Sequence, residues 1–188
     1  TPAHTLPSAR GQGEPLTGRF KPKDGARFVG AVMGGNDTKV LLASNAGFGF
    51  VGPLADMVTK NKAGKACLSV PTGADALPPI TVDNETLASG NGLVAAVTNQ
   101  GRLLIFKLSD LPELSRGKGN KLINIPSAAF KAGEETMLAV AVLGEQDDLV
   151  IHAGQRHLTM KRKDYENYIG ERARRGSKLP RGFQKVDR

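Results

Sequence analysis

One cysteine in 188 residues, Cys67, excludes an internal disulfide, so no covalent staple holds the chain. Set inside the apolar ACLSV, it reads as a small packed hydrophobe rather than a nucleophile, and a reducing, cytoplasmic setting fits best. Tryptophan is missing and tyrosine occurs only twice, so a core has to come from Val, Leu, Ile, Ala and seven phenylalanines. No apolar run approaches the roughly 20 residues of a membrane span. The opening TPAHTLPSARG lacks both parts of a signal peptide, so neither insertion nor export is expected. Histidine is equally scarce: His4, His152 and His157 are scattered and show no metal-ligand spacing. The acidic groups GEE (133–135) and GEQDD (144–148) have no second cluster to work with and read as solvated turns. Tyr165 and Tyr168 read as amphipathic packing. No catalytic constellation, metal site or cofactor site is expected.

What the chain does have is positive charge, unevenly spread. The formal net charge is +8, and residues 1–150 hold 15 Lys and Arg against 14 Asp and Glu, whereas residues 151–188 hold 11 against 4. Nearly all the excess sits at the C-terminal end. Such a patch draws a polyanion: nucleic acid first, an anionic membrane or acidic protein second.

The apolar runs are short and rich in β-branched residues: KVLLAS, GLVAAVTN, GRLLIFKLS, NKLINIP, MLAVAVLG and DDLVIHAG. With Gly, Asn, Asp or Pro between them, they predict many short strands joined by tight turns. Helical periodicity is confined to MKRKDYENYIGERARR, which Gly170 interrupts, so one short helix at most is expected there. The runs also repeat. Stretches 41–71, 94–126 and 149–186 each have a strand ending at a glycine turn (Gly47, Gly101, Gly154), a second strand, a polar connection, a basic glycine turn and a strand led by a leucine (Leu68, Leu122, Leu179). A truncated copy opens the chain as LPSARGQGEPLTG, with Arg10, Gly11 and Gly13. The turn glycines recur at about 54 residues, a length that suits a four-stranded blade of a propeller-like, all-β array. The expected organisation is one domain over 1–188: a truncated repeat at 1–30, then repeats at about 31–82, 83–135 and 136–188.

The repeated element is cationic. It occurs as Arg10; as Lys60, Lys62 and Lys65; as Arg116, Lys118 and Lys121; and as Arg172, Arg174, Arg175 and Lys178. Arg102 and Arg156, beside turn glycines, and Lys161, Arg162 and Lys163 in the basic last stretch complete the candidate DNA-binding set. One basic turn alone is ordinary solvated surface. Repeats stacked around an axis would line these turns along one rim, and a curved cationic rim suits a DNA backbone.

Two literal motif matches compete with this reading and fail. GFGFVG (47–52) fits the dinucleotide fingerprint, but no βαβ unit follows, and a hairpin with Phe48 and Phe50 on one face is the better account. NKAGKA resembles the end of a phosphate-binding loop, but Thr59 replaces its first glycine and Ala66 its metal-binding hydroxyl.

LPSARGQGEPLTG, NAGFGFV, NKAGKA, GRLLIFKLSDLPELSRGKGNKLINIPSA and GERARRG closely resemble the C-terminal domains of the A subunit of bacterial DNA topoisomerase IV (ParC), in the gyrase A C-terminal-like β-pinwheel family. The resemblance runs over almost the whole chain. It implies a pinwheel, a propeller-like ring of blades that exchange strands, with DNA bent along its basic outer edge. It implies an ATP-dependent type IIA topoisomerase, an isomerase, as parent enzyme. The breakage tyrosine, the metal-binding carboxylates, ATP and Mg belong to other parts of that enzyme, and neither Tyr165 nor Tyr168 inherits the breakage role. The implied partners are double-stranded DNA, the B subunit of topoisomerase IV, an A-subunit dimer through the rest of the protein, and a chromosome-organising protein; the implied location is cytoplasmic and nucleoid-associated.

This chain departs from the family in two ways. SARGQG, SRGKG and ERARRG are partial echoes of the gyrase signature box, which favours topoisomerase IV. The chain also begins in mid-repeat, so an open or partial ring of about three and a half blades is expected. The resulting expectation is a non-catalytic DNA-bending module that presents bent or crossed duplexes to a cleavage core for decatenation and supercoil relaxation. The alternatives are a gyrase-type wrapping domain, a propeller docking acidic proteins, and a nucleotide-dependent enzyme built on GFGFVG.

Overall fold

Glycine turns set the architecture. The structure is a computed structural model that describes residues 5–6, 11–23 and 25–186. Among the described residues ten strands follow in chain order: β1 (Lys39–Ser44), β2 (Phe48–Pro53), β3 (Ile80–Val82), β4 (Leu93–Thr98), β5 (Arg102–Lys107), β6 (Asn120–Lys121), β7 (Met137–Leu143), β8 (Leu149–Ala153), β9 (Arg156–Met160) and β10 (Ser177–Lys178). The pairs β1–β2, β4–β5 and β8–β9 are antiparallel hairpins. Gly47, Gly101 and Gly154 close them at φ of 83°, 64° and 61°, a region open to glycine without the Cβ clash other residues meet.

Each complete sheet is finished by a strand from further along the chain. The first has the order β3-β1-β2-β6 and the second β10-β5-β4-β7. Although β6 comes after the β4–β5 hairpin in sequence, it pairs with β2, at Phe48↔Lys121 and Gly49↔Asn120. In the same way β10 pairs with β5, at Ser177↔Leu103 and Lys178↔Arg102. The segments led by Leu122 and Leu179 are therefore donated to the preceding hairpin. Leu122 and Leu179 are buried there, while Leu68 is only half-buried. Only Asn120 and Lys121 of the NKLINIP run are strand: Leu122 N still donates to the Gly47 carbonyl of the first hairpin, but the Leu122 carbonyl and Asn124 N pair with the following basic turn.

Period-2 alternation sends the second sheet into two cores. Val94, Ala96, Leu104 and Phe106 join the first sheet's Leu41, Ala43 and Val51 in one cluster. Ala95, Val97, Leu103 and Ile105 join Leu149, Ile151 and Met160 of the third hairpin in the other. β4 is buried at all six positions, which accounts for its apolar run from Leu93 to Val97.

Helices are short connectors: α1 (Leu16–Arg19), α2 (Leu54–Met57), α3 (Asn84–Ser89), α4 (Ser127–Lys131) and α5 (Arg162–Tyr165). None is long and apolar enough to cross a membrane. The α5 turn runs into a 3-10 turn at Glu166–Tyr168 and stops before Gly170, the single short helical element the sequence allowed there. Tyr165 is fully buried in the second core, and its hydroxyl donates to the Asp147 carbonyl at 3.3 Å. GFGFVG forms the turn and β2; Gly49 and Gly52 lie beneath the Leu42 and Leu114 carbonyls, where a Cβ would collide. Between residues 11 and 35 the described chain carries α1 and no strand, so the opening copy does not show the hairpin of the other three.

Candidate nucleic-acid interface

The basic turns are joined in a series by backbone hydrogen bonds. Gly117 N donates to the Cys67 carbonyl and Ser69 N to the Gly117 carbonyl, both at 2.8 Å. One repeat later, Ala173 N donates to the Leu122 carbonyl and Asn124 N to the Arg174 carbonyl, both at 2.9 Å. Each turn is thus stitched to the segment that follows the previous turn. The pattern needs left-handed backbone: Gly117 has φ 135°, and Ala173, at 67°, is the one positive-φ residue other than glycine among the described residues.

The donated strands place cations at matching register positions. Lys121 lies opposite Phe48, and Lys178 lies opposite Arg102. Arg156 begins the second strand of the third hairpin, as Phe48 and Arg102 begin theirs. The first of these sites is a small cluster: the Lys118 ammonium is 4.4 Å and the Lys121 ammonium 5.8 Å from the centroid of the half-buried Phe48 ring. A ring face stabilises both cations and holds them together on the outer strand. Lys121 also donates to Asn124 Oδ1 at 3.2 Å. In the second site, Arg102 donates to the Gly176 carbonyl at 3.2 Å and Lys178 is exposed.

The expected cations divide by how far they are already engaged. Lys60, Lys62, Arg116, Lys178 and Arg156 are exposed. Lys65 donates to the Asp56 carbonyl. Arg174 is exposed but forked onto Glu171 at 2.9 and 2.6 Å. Arg172 donates to the Lys121 carbonyl at 2.6 Å. Arg175 donates to both Glu135 oxygens, at 2.7 and 2.5 Å, and to the Asn124 carbonyl at 3.0 Å. Lys161, Arg162 and Lys163 are exposed at α5, outside the stitched series, with Arg162 reaching the Glu145 carbonyl at 3.5 Å. Arg10 lies outside the described residues.

Glu135 corrects one expectation. GEE reads as a solvated turn, yet Glu135 is only 3% exposed and binds Arg175. Burial pushes its carboxyl up, but hydrogen bonds from Arg175 and the Thr98 hydroxyl, with the charges of Arg175 and Arg102, outweigh that and hold it below the ordinary carboxylate range. Its partner lies 40 residues away, and only the strand exchange brings the two together. Sequence reasoning also misses the Phe48 platform, although Phe48 itself stands out in the hairpin. His152 and His157 lie opposite each other in the third hairpin, exposed, with ring centroids 6.4 Å apart.

Comparison with known proteins adds an independent line. Residues 93–142, the β4–β5 hairpin through β7, match the family described as DNA gyrase C-terminal domain, beta-propeller. The A subunit of DNA topoisomerase 4 from Pseudomonas aeruginosa is 51% identical over 186 residues, 99% of this chain. Its counterpart from Escherichia coli K12 is 45% identical over 184 residues, 98% of this chain. The chain spans 24% of the length of each of these two relatives. The solved structure of the E. coli ParC C-terminal domain superposes with a TM-score of 0.85 at 44% identity, covering 98% of this chain and 73% of that one.

Proposed function

Since the chain belongs to the family of C-terminal domains of the topoisomerase IV A subunit, a β-pinwheel family, we propose that it binds duplex DNA along the stitched basic turns and bends it. The observation that carries this reading is the serial hydrogen bonding of turns 116–119 and 172–176 to the segments before them, with Lys121 and Lys178 at equivalent positions of neighbouring sheets. Charges fixed at repeating positions of contiguous units form one track rather than isolated patches. The phosphate ligands are drawn first from the exposed cations: Lys60, Lys62, Arg116, Arg156, Lys178 and, over the Phe48 ring, Lys118. Lys121 and Arg102 act with them from half-buried positions.

Phosphate contacts supply affinity without reading base edges, so the module selects duplex geometry over sequence. Bending a site of 20 to 30 bp by 40 to 90° costs on the order of 1 to 6 kcal/mol, which only several turns acting together offset. The chain is read as part of a pinwheel, one domain over residues 1–188, working as a non-catalytic part of topoisomerase IV. In that enzyme it would hold bent or crossed duplexes near the cleavage core, for decatenation and supercoil relaxation in the cytoplasm. Other regions would contribute the A-subunit dimer, the B-subunit contact, ATP and Mg.

The test is duplex binding across a salt series for the wild type and for a variant with Arg116, Lys118 and Lys121 all replaced by glutamine. If about six phosphates are neutralised, log affinity falls against log salt with a slope near −5, and the triple variant is weaker and shallower by about 3. Equal affinity and slope remove this turn from the surface. Failure of the wild type to bind duplex at low salt leaves the docking of an acidic protein as the function of the rim.

A further inference from the structure

Two neighbouring basic turns occupy equivalent places yet are held differently. Asn45 N donates to the Asp75 carbonyl and Asp75 N to Asn45 Oδ1, each at 2.9 Å; in the next repeat Asn99 N donates to the Thr136 carbonyl at 3.1 Å and Thr136 N to Asn99 Oδ1 at 3.0 Å. This shared bracket makes Asp75 the counterpart of Thr136, and hence Ala74 the counterpart of Glu135. On the other side of the joint, Lys118 precedes Gly119 as Arg175 precedes Gly176. The first joint therefore pairs an alanine position with Lys118, whose ammonium swings out over Phe48. The second pairs a buried carboxylate with Arg175, whose guanidinium spans Glu135 and the Asn124 carbonyl.

Glu135 follows α4, just ahead of β7 in the second sheet, and Asn124 belongs to the segment donated toward the first. The basic turn that carries Arg175 leads into β10, which finishes the second sheet. One guanidinium thus ties together three segments whose relative placement sets the direction in which successive turns point.

We infer that Arg175 and Glu135 form a positioning lock at the second joint: Arg175 fixes the angle between neighbouring cationic turns instead of contacting phosphate, whereas the unlocked Lys118 is a phosphate ligand. The inference rests on the DNA-bending reading above and assigns different roles to residues that share one repeat position. A planar, two-pronged donor suits the lock, because a lysine cannot engage both carboxylate oxygens and a carbonyl in fixed geometry.

Four variants, Glu135→Gln, Arg175→Gln, Arg175→Lys and Lys118→Gln, are compared with wild type by duplex affinity over a salt series and by the end-to-end distance of a doubly labelled duplex. Lys118→Gln is expected to lower the salt slope by about 0.9, the loss of one phosphate contact. Both Arg175 variants and Glu135→Gln are expected to keep the wild-type slope, straighten the bound duplex and weaken affinity by about 2-fold to 10-fold, with the Glu135→Gln, Arg175→Gln double variant no worse than the singles.

Glu135→Gln gives the sharpest reading, because it raises the net charge by one; if charge were all that mattered, DNA would bind more tightly. Tighter binding by Glu135→Gln, a slope lowered by about 0.9 in Arg175→Gln, wild-type behaviour of Arg175→Lys, or an unchanged duplex distance in all three overturns the lock. A wild type that does not bind duplex overturns the broader reading instead. Glu135→Gln is nearly isosteric, and faster amide hydrogen exchange at Asn124 in that variant, measured without DNA, reports the lost tie even if other substitutions impair folding.

Discussion

Lys121 stands opposite Phe48 across an exchanged strand pair, in register with Lys178 opposite Arg102 one sheet further on. In the first pair an aromatic face gathers two ammonium groups; in the second an arginine occupies the ring's place. The same backbone frame thus presents positive charge by two different side-chain solutions.

Removing the ring tests the first solution. Phe48→Ala leaves every cation in place but frees Lys118 and Lys121 from their common platform. Duplex affinity is expected to fall by about 2-fold to 5-fold at low salt, in line with about 0.5 to 1 kcal/mol for an exposed cation–π contact. The salt slope stays near the wild-type value because no charge is lost. A salt titration with end-labelled duplex separates the two quantities.

Gly119 and Gly64 share left-handed backbone, at φ 76° and 87°, in very different surroundings. A Cβ at Gly119 would meet the Gly49 backbone where β6 joins β2, whereas one at Gly64 would meet open space. Gly119→Ala is therefore expected to cost clearly more than Gly64→Ala, whose cost is backbone strain of about 1 kcal/mol. Urea unfolding of the two variants measures the difference, which is the steric component of strand exchange.

Acid should weaken the fold through Glu135. Its carboxyl is held low in the folded state, so its stabilisation is complete above the unfolded carboxylate value of about 4.3 and is lost as pH falls through the lower folded value. Asp83, held low by the hydroxyl and amide of Thr86 at the start of α3, loses its contribution in the same direction. Glu135→Gln should lower stability near pH 7 by about 2 to 4 kcal/mol, as expected when a buried pair loses one charge while Arg175 stays half-exposed. It should also flatten the acid limb. Urea midpoints taken from neutral to acid pH check both effects.

Arg174 offers the opposite case, an exposed fork onto Glu171 with side chains 72% and 78% accessible. Glu171→Gln should change stability by less than about 0.5 kcal/mol and release one more cation to the track. Duplex binding should tighten modestly and gain in salt sensitivity, as a binding isotherm at two salt concentrations would show.

These strands are legible because their signals are local: short apolar runs bounded by Gly, Asn, Asp or Pro give β1, β4, β5, β7 and β8 almost to the residue. The basic turns are legible because they repeat. What sequence does not supply is the partner of each donated strand, since pairing between Phe48 and Lys121 spans the whole second hairpin. That gap explains why Glu135 reads as a solvated turn and Arg175 as one more free cation. It also explains why NKLINIP looks like one continuous strand: Leu122 and Ile123 do enter the core, but from the Leu122 carbonyl onward the backbone pairs with the next turn. The short α3 helix stands outside the strand pattern although its ends are marked, by Asp83 before it and by Gly90 in left-handed backbone after it.

Because β6 and β10 each complete the sheet of an earlier hairpin, the period visible in the letters is offset from the period of the solid object. Cutting between two sequence repeats would leave one hairpin with a bare edge and another segment with nothing to cover. A cut in the polar connection between β5 and β6 would strip both the first and the second hairpin of strands that finish their sheets. Each of the two four-stranded sheets is thus complete only once the following repeat's chain is present.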